Sequence, residues 1–326
     1  RLIQQPADLH QTPDRLGTMT PPLAAIVDLG SNAIRFLLAG QDQRGQLKIL
    51  HRDRISIRIG SSVFASGIIG EERHRIVEAI HHFQNTASEV LDEDLHASLD
   101  WKAVATSAMR EATDREEAIR SIQEATQLEV QILSGEQEAE LALGSVVAVQ
   151  PLKGPFAVAD LGGGSLELVL GQDGRMLRCS SFQLGAVRWQ HAVGSNNHES
   201  LHNIQAEINR LREFTENHQA QTTIGLGGAF RAMHRMTGQT RLERTELKLW
   251  RDQLDPLSPM ERTQRYGVPE DRADIIVPAI DALCLTLDAV QGNAWTIIEK
   301  VGGIADALAQ ELLNAGLDQV EKSDAG

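Results

Sequence analysis

Two short segments combine an aspartate with nearby glycines, and both contain the residue types that bind phosphate. They are Asp28-Leu29-Gly30-Ser31-Asn32 and Asp160-Leu161-Gly162-Gly163-Gly164-Ser165. Glycines let backbone N–H groups approach an oxyanion closely, and a carboxylate at a strand end can hold a hydrated divalent cation over the same phosphate. Each loop taken alone also fits a tight hairpin whose aspartate only accepts hydrogen bonds from turn amides.

The two segments belong to a weak internal duplication with a constant offset of 132 residues. The repeated positions are Ala25, Asp28, Leu29, Gly30 and Leu38 against Ala157, Asp160, Leu161, Gly162 and Leu170. In both copies an apolar strand ends at the aspartate, and a second apolar strand follows the glycine turn. This pattern predicts two similar domains that face each other. Neither loop matches the Walker pattern or the dinucleotide-binding glycine fingerprint, which disfavours P-loop and Rossmann enzymes.

The elements that must position these loops follow from the hydrophobic periodicity. Helices are predicted over residues 71–91, 115–127, 199–216 and 272–289, and strands over 24–29, 33–39, 102–106, 129–133 and 222–226. Asp114 is the predicted cap of the second helix, and the last helix is predicted to kink or start near Pro278. Strands alternating with helices indicate an α/β fold. Residues 1–22 are rich in proline and are predicted to be a flexible leader, with Met19 as an alternative start.

Composition excludes several classes of protein. The chain has 326 residues and a formal net charge of −14, which excludes a basic coat for nucleic acid. Apolar runs such as residues 23–27 are far shorter than the roughly 20 residues of a membrane-spanning helix, so no membrane segment is predicted. Cys179 and Cys284 are too few for a disulfide framework, which makes a reducing cytoplasm the expected location. The histidines show no metal-binding spacing.

Further motifs follow the first loop in a recognisable order. They are Arg58-Ile59-Gly60, residues 104–112, residues 133–139 and the Asp160 loop. In order and spacing, the chain resembles the exopolyphosphatase and guanosine pentaphosphate phosphatase (Ppx/GppA) family in its short two-domain form, without an appended helical domain. The doubled hairpin also resembles the superfamily of actin, sugar kinases and heat-shock chaperones.

This resemblance implies an α/β fold of two actin-like (ribonuclease H-like) domains, with the active site in the cleft between them. The domains are expected at residues 23–144 and 145–306. A final helix at about 307–326 is expected to pack back onto the first domain.

Glu138 is the residue expected to activate water. A capping box formed by Ser134 and Gln137 predicts a helix that starts there and places Glu138 in its first or second turn, aimed at the cleft. Taken alone, such a glutamate also fits a role in stabilising the helix dipole. The resemblance matches it to the family's catalytic glutamate. It also implies that Asp28, Asp160 and Glu167 place Mg²⁺, with Mn²⁺ as an alternative.

The resemblance implies a set of phosphate-binding residues as well. They are Gly30, Ser31, Asn32, Arg58, Arg110, Gly162, Gly163, Gly164, Ser165, Gly227 and Gly228. For Arg35, Arg188 and Arg272, a ligand role and a surface role are about equally expected. Because a net charge of −14 repels a polyanion, a productive cleft must concentrate arginines locally and use metal ions.

Four residues depart from the family's pattern, and they predict an altered ligand preference or rate. They are Glu140, Leu166, Ala229 and Ala305. The leading hypothesis is an exopolyphosphatase that releases orthophosphate from the ends of inorganic polyphosphate. One alternative is a guanosine pentaphosphate phosphohydrolase, and another is a regulator that binds polyphosphate or guanosine tetraphosphate without turnover. An actin-like ATPase or sugar kinase is a weaker alternative. A homodimer is expected only because the family often forms one.

Overall fold

A computed structural model describes residues 22–42, 45–195, 198–299 and 301–324. The predicted leader lies outside this range up to residue 21. Within the described ranges, no helix has the length and apolar character needed to cross a membrane.

The first sheet has five strands in the order β3-β2-β1-β4-β5. Its strands are β1 (Leu23–Leu29), β2 (Ile34–Gln41), β3 (Leu47–Ile55), β4 (Leu99–Ala105) and β5 (Val130–Ile132). The helices along this part of the chain are α1 (Ile59–Ser66), α2 (Glu72–Val90), α3 (Glu93–Ala97), α4 (Ser107–Glu111), α5 (Arg115–Thr126) and α6 (Gly135–Val147). We call this sheet, with α1–α6 and the last helix α13 (Ile304–Asp324), the first lobe.

The second sheet has six strands in the order β10-β11-β9-β6-β7-β8. Its strands are β6 (Pro155–Leu161), β7 (Leu166–Gln172), β8 (Arg175–Phe182), β9 (Thr222–Gly227), β10 (Arg241–Glu243) and β11 (Ala294–Ile297). The helices are α7 (Ala186–Gly194), α8 (His198–Thr215), α9 (Gly228–Thr237), α10 (Arg244–Leu254), α11 (Pro259–Tyr266) and α12 (Ile276–Ala289). Together these elements form the second lobe.

The two sheets repeat one topology, because β8-β7-β6-β9-β11 has the same connectivity as β3-β2-β1-β4-β5. In each, three antiparallel strands are followed by parallel additions. The duplication also preserves the register of the hairpins, with Asp28 opposite Arg35 in the first and Asp160 opposite Glu167 in the second. The predicted α/β fold with a duplicated hairpin is therefore confirmed.

Helix α6 lies between the two sheets and anchors the site. Its Leu141 packs in one apolar cluster with strands β1 and β2 and helix α13. Its Ala139, Ala142 and Val146 pack in another cluster with strands β6, β7 and β9. Because α6 is held on both sides, the position of its first turn is fixed relative to both lobes.

The predicted helices and strands differ from the observed ones by three residues or fewer at most ends. The last predicted helix begins at Ile276, with Pro278 in its first turn, where a missing N–H leaves no hydrogen bond unmade. Asp114 occupies the predicted N-cap position of α5, but its side chain makes no capping bond to that helix. Its carboxylate instead accepts hydrogen bonds from the amides of Ile69 and Gly70 at 2.8 and 2.9 Å. The proposed domain boundaries stay a prediction.

Candidate active site

A cavity of about 840 Å³ opens between the two lobes, at the ends of strands β1 and β6. All the predicted site residues line it except Arg58 and Arg110. The ones that do are Asp28, Gly30, Ser31, Asn32, Glu138, Asp160, Gly162, Gly163, Gly164, Ser165, Glu167, Gly227 and Gly228. Residues of both lobes, separated by up to 200 positions in the sequence, are therefore brought to one cavity.

The two glycine loops contact each other directly. A methyl group on Gly164 would lie 2.5 Å from Ser107 Oγ and 2.6 Å from Ser31 Oγ, and one on Gly163 would lie 3.2 Å from the Asn32 side chain. A side chain at Gly164 would require Ser31 and Ser107 to move, and one at Gly163 would require a small shift of Asn32, so glycine permits the loops to meet as closely as they do. The amide of Gly60 holds the first loop by donating to the Ser31 carbonyl at 2.8 Å.

Glu138 lies at the start of α6 and is almost completely buried, with 4% of its surface exposed. The predicted capping box is confirmed, since Ser134 and Gln137 exchange side-chain and backbone hydrogen bonds. Arg110 Nη1 donates to Glu138 Oε1 at 2.7 Å and to the Leu133 carbonyl at 2.6 Å. Burial, together with the nearby charge of Glu167, raises the pKa of Glu138 well above its usual value. The result is a carboxylate of fixed orientation and increased basicity.

Three further carboxylates line the same cavity as Glu138. Glu167 is buried and accepts a hydrogen bond from Ser181 Oγ at 2.8 Å. Burial and the charge of Asp160 raise the pKa of Glu167 to about 7. Burial also raises the pKa of Asp160, against the opposing effect of Arg231. Asp28 Oδ2 accepts from Arg35 Nη1 at 2.8 Å.

These acidic residues have the oxygen donors that a magnesium ion prefers. Within the described ranges, no three His, Cys, Asp or Glu side chains form a ready-made metal cage. However, two buried oxygens of the first loop, Asp28 Oδ1 and Asn32 Oδ1, have no hydrogen-bond partner among the described residues. Magnesium usually keeps several waters and takes only one or two carboxylates from a protein. The residues therefore fit a hydrated Mg²⁺ held by Asp28 with help from Asp160 or Glu167.

Six arginines line the same cavity, namely Arg35, Arg52, Arg54, Arg231, Arg235 and Arg272. Burial, with the nearby charges of Arg35 and Arg54, lowers the pKa of Arg272 to about 9. The cavity therefore has the local concentration of arginines that binding of a polyanion requires, although the chain as a whole has a net charge of −14. A polyanion entering the cleft would meet guanidinium groups from both lobes.

Comparison with known proteins identifies the family of this chain. The model of the Ppx/GppA phosphatase family matches residues 39–303. The chain belongs to the Ppx/GppA phosphatase family. It is 27% identical over 329 residues to Exopolyphosphatase 2 of Mycobacterium tuberculosis, covering 92% of this chain and 94% of that one. It is 28% identical over 304 residues to an uncharacterized protein of Streptomyces coelicolor, covering 85% and 88%.

The fold is shared with a solved structure of an exopolyphosphatase from Cytophaga hutchinsonii. The TM-score is 0.76 at 23% identity, over 90% of this chain and 98% of that chain. The two-lobed architecture with a central cleft is therefore that of the Ppx/GppA phosphatases.

Two arginines that the family resemblance assigned to phosphate lie elsewhere in this Ppx/GppA phosphatase. Arg58 forms an ion pair with Asp274 and donates to the Asp271 carbonyl at 2.8 Å, so it joins the lobes. Arg110 holds Glu138. Neither lines the cavity. Their phosphate-binding role stays a prediction.

Arg188 is a second link between the lobes. Its guanidinium stacks on Phe64 of α1 with 4.0 Å to the ring centroid, forms an ion pair with Glu111, and donates to the Gly164 carbonyl at 2.8 Å. These contacts place it in a structural role behind the second loop.

Four of the cavity arginines were not singled out from the sequence. Arg52 and Arg54 alternate along β3, so their side chains lie on one face, and Arg231 and Arg235 are four residues apart on α9. The spacing indicates that each pair of arginines shares one face of its strand or helix. Only the pairing of β3 with β2 and the start of α9 at Gly228 show that both faces line the cleft.

The four departures from the family's pattern fall in different surroundings. Leu166 and Ala229 are buried in the apolar core of the second lobe. Ala305 lines the cavity, and Glu140 is exposed. Only Ala305 is placed to change what the cavity binds.

Proposed function

We propose that this protein hydrolyses the terminal phosphate of inorganic polyphosphate and releases orthophosphate. The observation that supports this most is the buried Glu138 carboxylate, which lines the same cavity as the two glycine loops and six arginines. The backbone amides of the glycine loops can bind one phosphate group, and the arginines can bind further phosphates of a chain. The Glu138 carboxylate can accept a proton from a water molecule. A relative of the chain carries the name exopolyphosphatase.

In the proposed reaction, the terminal phosphate lies against the backbone of the glycine loops, beside Glu138. The oxygen of a water molecule bonds to the terminal phosphorus, and the bridging P–O bond breaks. The water proton passes to Glu138, and the bridging oxygen leaves with the shortened chain. Burial favours this step because it raises the basicity of Glu138. Arg110 keeps the Glu138 carboxylate in one orientation through its 2.7 Å hydrogen bond.

Mg²⁺ is the proposed cofactor, held by Asp28 through its unpartnered oxygen, with Asp160 and Glu167 nearby. When bound, it neutralises negative charge on the phosphates and on these carboxylates. The loops, Glu138 and the arginines bind and orient the substrate.

A second candidate substrate is guanosine pentaphosphate. A side cavity of about 430 Å³ adjoins the cleft and shares Gly227, Arg231 and Arg235 with it. Phe230 and Ile297 give this side cavity apolar walls. An apolar wall next to phosphate-binding arginines suits an organic group attached to a phosphate chain.

The test is a panel of phosphate-release assays with the wild-type protein and Glu138→Gln. Medium-chain polyphosphate, guanosine pentaphosphate, ATP and buffer alone are each tested with Mg²⁺ and with EDTA. The proposal expects Mg²⁺-dependent release from polyphosphate that Glu138→Gln abolishes. Preferential release from guanosine pentaphosphate would support the second candidate. Tight binding without release from any substrate would indicate a regulator, and release from ATP alone would indicate an ATPase.

A further inference from the structure

Asp271 is a carboxylate that lies among the arginines of the cavity. It precedes Arg272 in the turn before α12, and it lines the cavity. Its Oδ2 atom forms an ion pair with Arg54 of the first lobe and lies 3.6 Å from Arg272 Nε of the second. One carboxylate oxygen therefore faces two arginines that come from opposite walls of the cleft.

Both arginines need a negative partner. Arg54 lies directly opposite Arg35 in the β2–β3 pairing, and like charges in such positions repel. Arg35 forms an ion pair with Asp28, and Arg54 forms an ion pair with Asp271. Arg272 is buried, and its guanidinium lies against Gly228 at the start of α9, where the helix dipole is positive. Asp271 therefore supplies a negative charge to two arginines that both require one.

The turn that carries Asp271 does not depend on this carboxylate for its position. The Asp271 carbonyl accepts hydrogen bonds from Arg58 Nη2 at 2.8 Å and from Asn32 Nδ2 at 3.3 Å. Behind the turn, the buried Arg262 donates to the Ala273 carbonyl at 2.8 Å. These backbone contacts stay possible when the side chain is changed, so the carboxylate can be tested separately from the fold.

We propose that Asp271 sets the affinity of the cleft as a resident anion that competes with substrate phosphates for Arg54 and Arg272. The inference rests on the proposed function, because it takes the competing ligand to be a phosphate chain. A chain held by the glycine loops displaces the carboxylate from these arginines. When the product leaves, the carboxylate returns to them. The competition weakens substrate binding and speeds the release of phosphate from the arginines of the cavity.

This role and a structural role predict opposite changes in affinity. If Asp271 only joined the lobes, its loss would loosen the cleft and weaken ligand binding. If it competes with the ligand, its loss frees two guanidinium groups and strengthens binding. From the usual strength of partly exposed ion pairs and charged hydrogen bonds, we expect Asp271→Asn to tighten binding about three- to tenfold.

The experiment measures tripolyphosphate binding by titration calorimetry in a Glu138→Gln background, where the probe is not consumed. It compares the Glu138→Gln protein with the same protein carrying Asp271→Asn, Asp271→Glu or Asp288→Asn. Asp288 pairs with Arg244 at 2.7 Å and does not line the cavity, so it controls for the change in net charge. We expect tighter binding with Asp271→Asn only. With catalytic Glu138 restored, Asp271→Asn should lower the KM for polyphosphate by a similar factor and should lower kcat by up to threefold, because phosphate is released more slowly.

Unchanged or weaker binding by a folded Asp271→Asn protein would overturn the inference. Asp271→Ser is the second variant, and unfolding of both proteins would show that the carboxylate is structural, which also overturns it. The proposed function fails separately, if wild-type protein binds tripolyphosphate but hydrolyses no polyphosphate. In that case a gain of affinity in Asp271→Asn would still support a resident anion.

Discussion

Arg35 and Glu167 occupy equivalent positions in the two hairpins, one opposite Asp28 and the other opposite Asp160. The first hairpin therefore presents a neutral pair of opposite charges, joined at 2.8 Å. The second presents two carboxylates, with Glu138 as a third nearby. The duplicated scaffold thus has a balanced side and an acidic side, and the excess negative charge at the acidic side favours a cation there.

Replacing Glu167 should stabilise the protein in a pH-dependent manner. Its folded-state pKa of about 7 lies above the usual 4.5, so the native state binds this proton more tightly than the unfolded state. The cost of the buried charge is complete above pH 7 and disappears as the pH falls towards 4.5. Glu167→Gln should raise the free energy of unfolding by up to about 3 kcal/mol at pH 8 and by much less at pH 5.

The measurement for Glu167→Gln is urea unfolding in EDTA at both pH values, with the exposed Glu140→Gln as control. Equal stabilisation at pH 5 and pH 8 would show that the Glu167 carboxylate is not protonated in this window.

Glu138→Gln should lower kcat for polyphosphate by about 10²–10⁴, because general-base assistance has that magnitude. Binding of tripolyphosphate should change little, since the amide is close in shape to the carboxylate. The matched control is Glu136→Gln, which alters an exposed glutamate two residues earlier on the same helix. A large loss of binding with kcat retained would instead assign Glu138 to metal or structure.

Gly164→Ala should lower kcat/KM by about 10² or more, because a 1 Å displacement in a site can have that effect. The added methyl group would press on Ser31, Ser107 and Phe64 and push the loops apart. Gly144→Ala is the control, since a methyl group there meets no atom within 4 Å. It should leave kcat/KM unchanged and stabilise α6 by about 0.5–1 kcal/mol. Steady-state kinetics and urea unfolding of both variants test this pair.

Arg231→Ala should raise the KM for polyphosphate about tenfold or more, as expected for loss of a charged hydrogen bond. The Arg231 side chain is exposed and has no hydrogen-bonded partner among the described residues, but its charge partly offsets the burial of Asp160, so the free energy of unfolding should fall by no more than about 1 kcal/mol. Arg241→Ala, at an exposed arginine outside the cavity, should alter neither quantity. An unchanged KM in Arg231→Ala would remove this residue from the substrate site.

Local sequence patterns predicted the parts of the site that are made locally. The hairpins at Asp28 and Asp160 and the capping box at Ser134 depend on neighbouring residues, and each was found where the sequence indicated it. The duplication predicted two similar domains that face each other, and the two sheets repeat one topology. The burial of Glu138 depends on two sheets that pack around α6, which no local pattern contains.

Long-range partners explain what the sequence did not predict. Arg54 reaches the cavity because β3 pairs with β2 in a register that sets it opposite Arg35. Arg58 has the motif of a phosphate ligand, but its partner Asp274 is 216 residues away. Asp114 satisfies amides of a distant turn in place of its own helix. In each case the residue type was informative, and the identity of its partner was decided by tertiary packing.

The position of helix α13 in the sequence has a consequence for folding during translation. Ala24, Ile26 and Leu37 belong to β1 and β2, whereas Ala309 and Leu313, which pack against them, belong to α13, more than 260 residues later in the sequence. During translation this apolar face therefore stays uncovered until α13 has been synthesised. A nascent chain in that condition is prone to aggregate and is a natural client for a chaperone. The first lobe is thus complete only after the strands and helices of the second lobe have been synthesised.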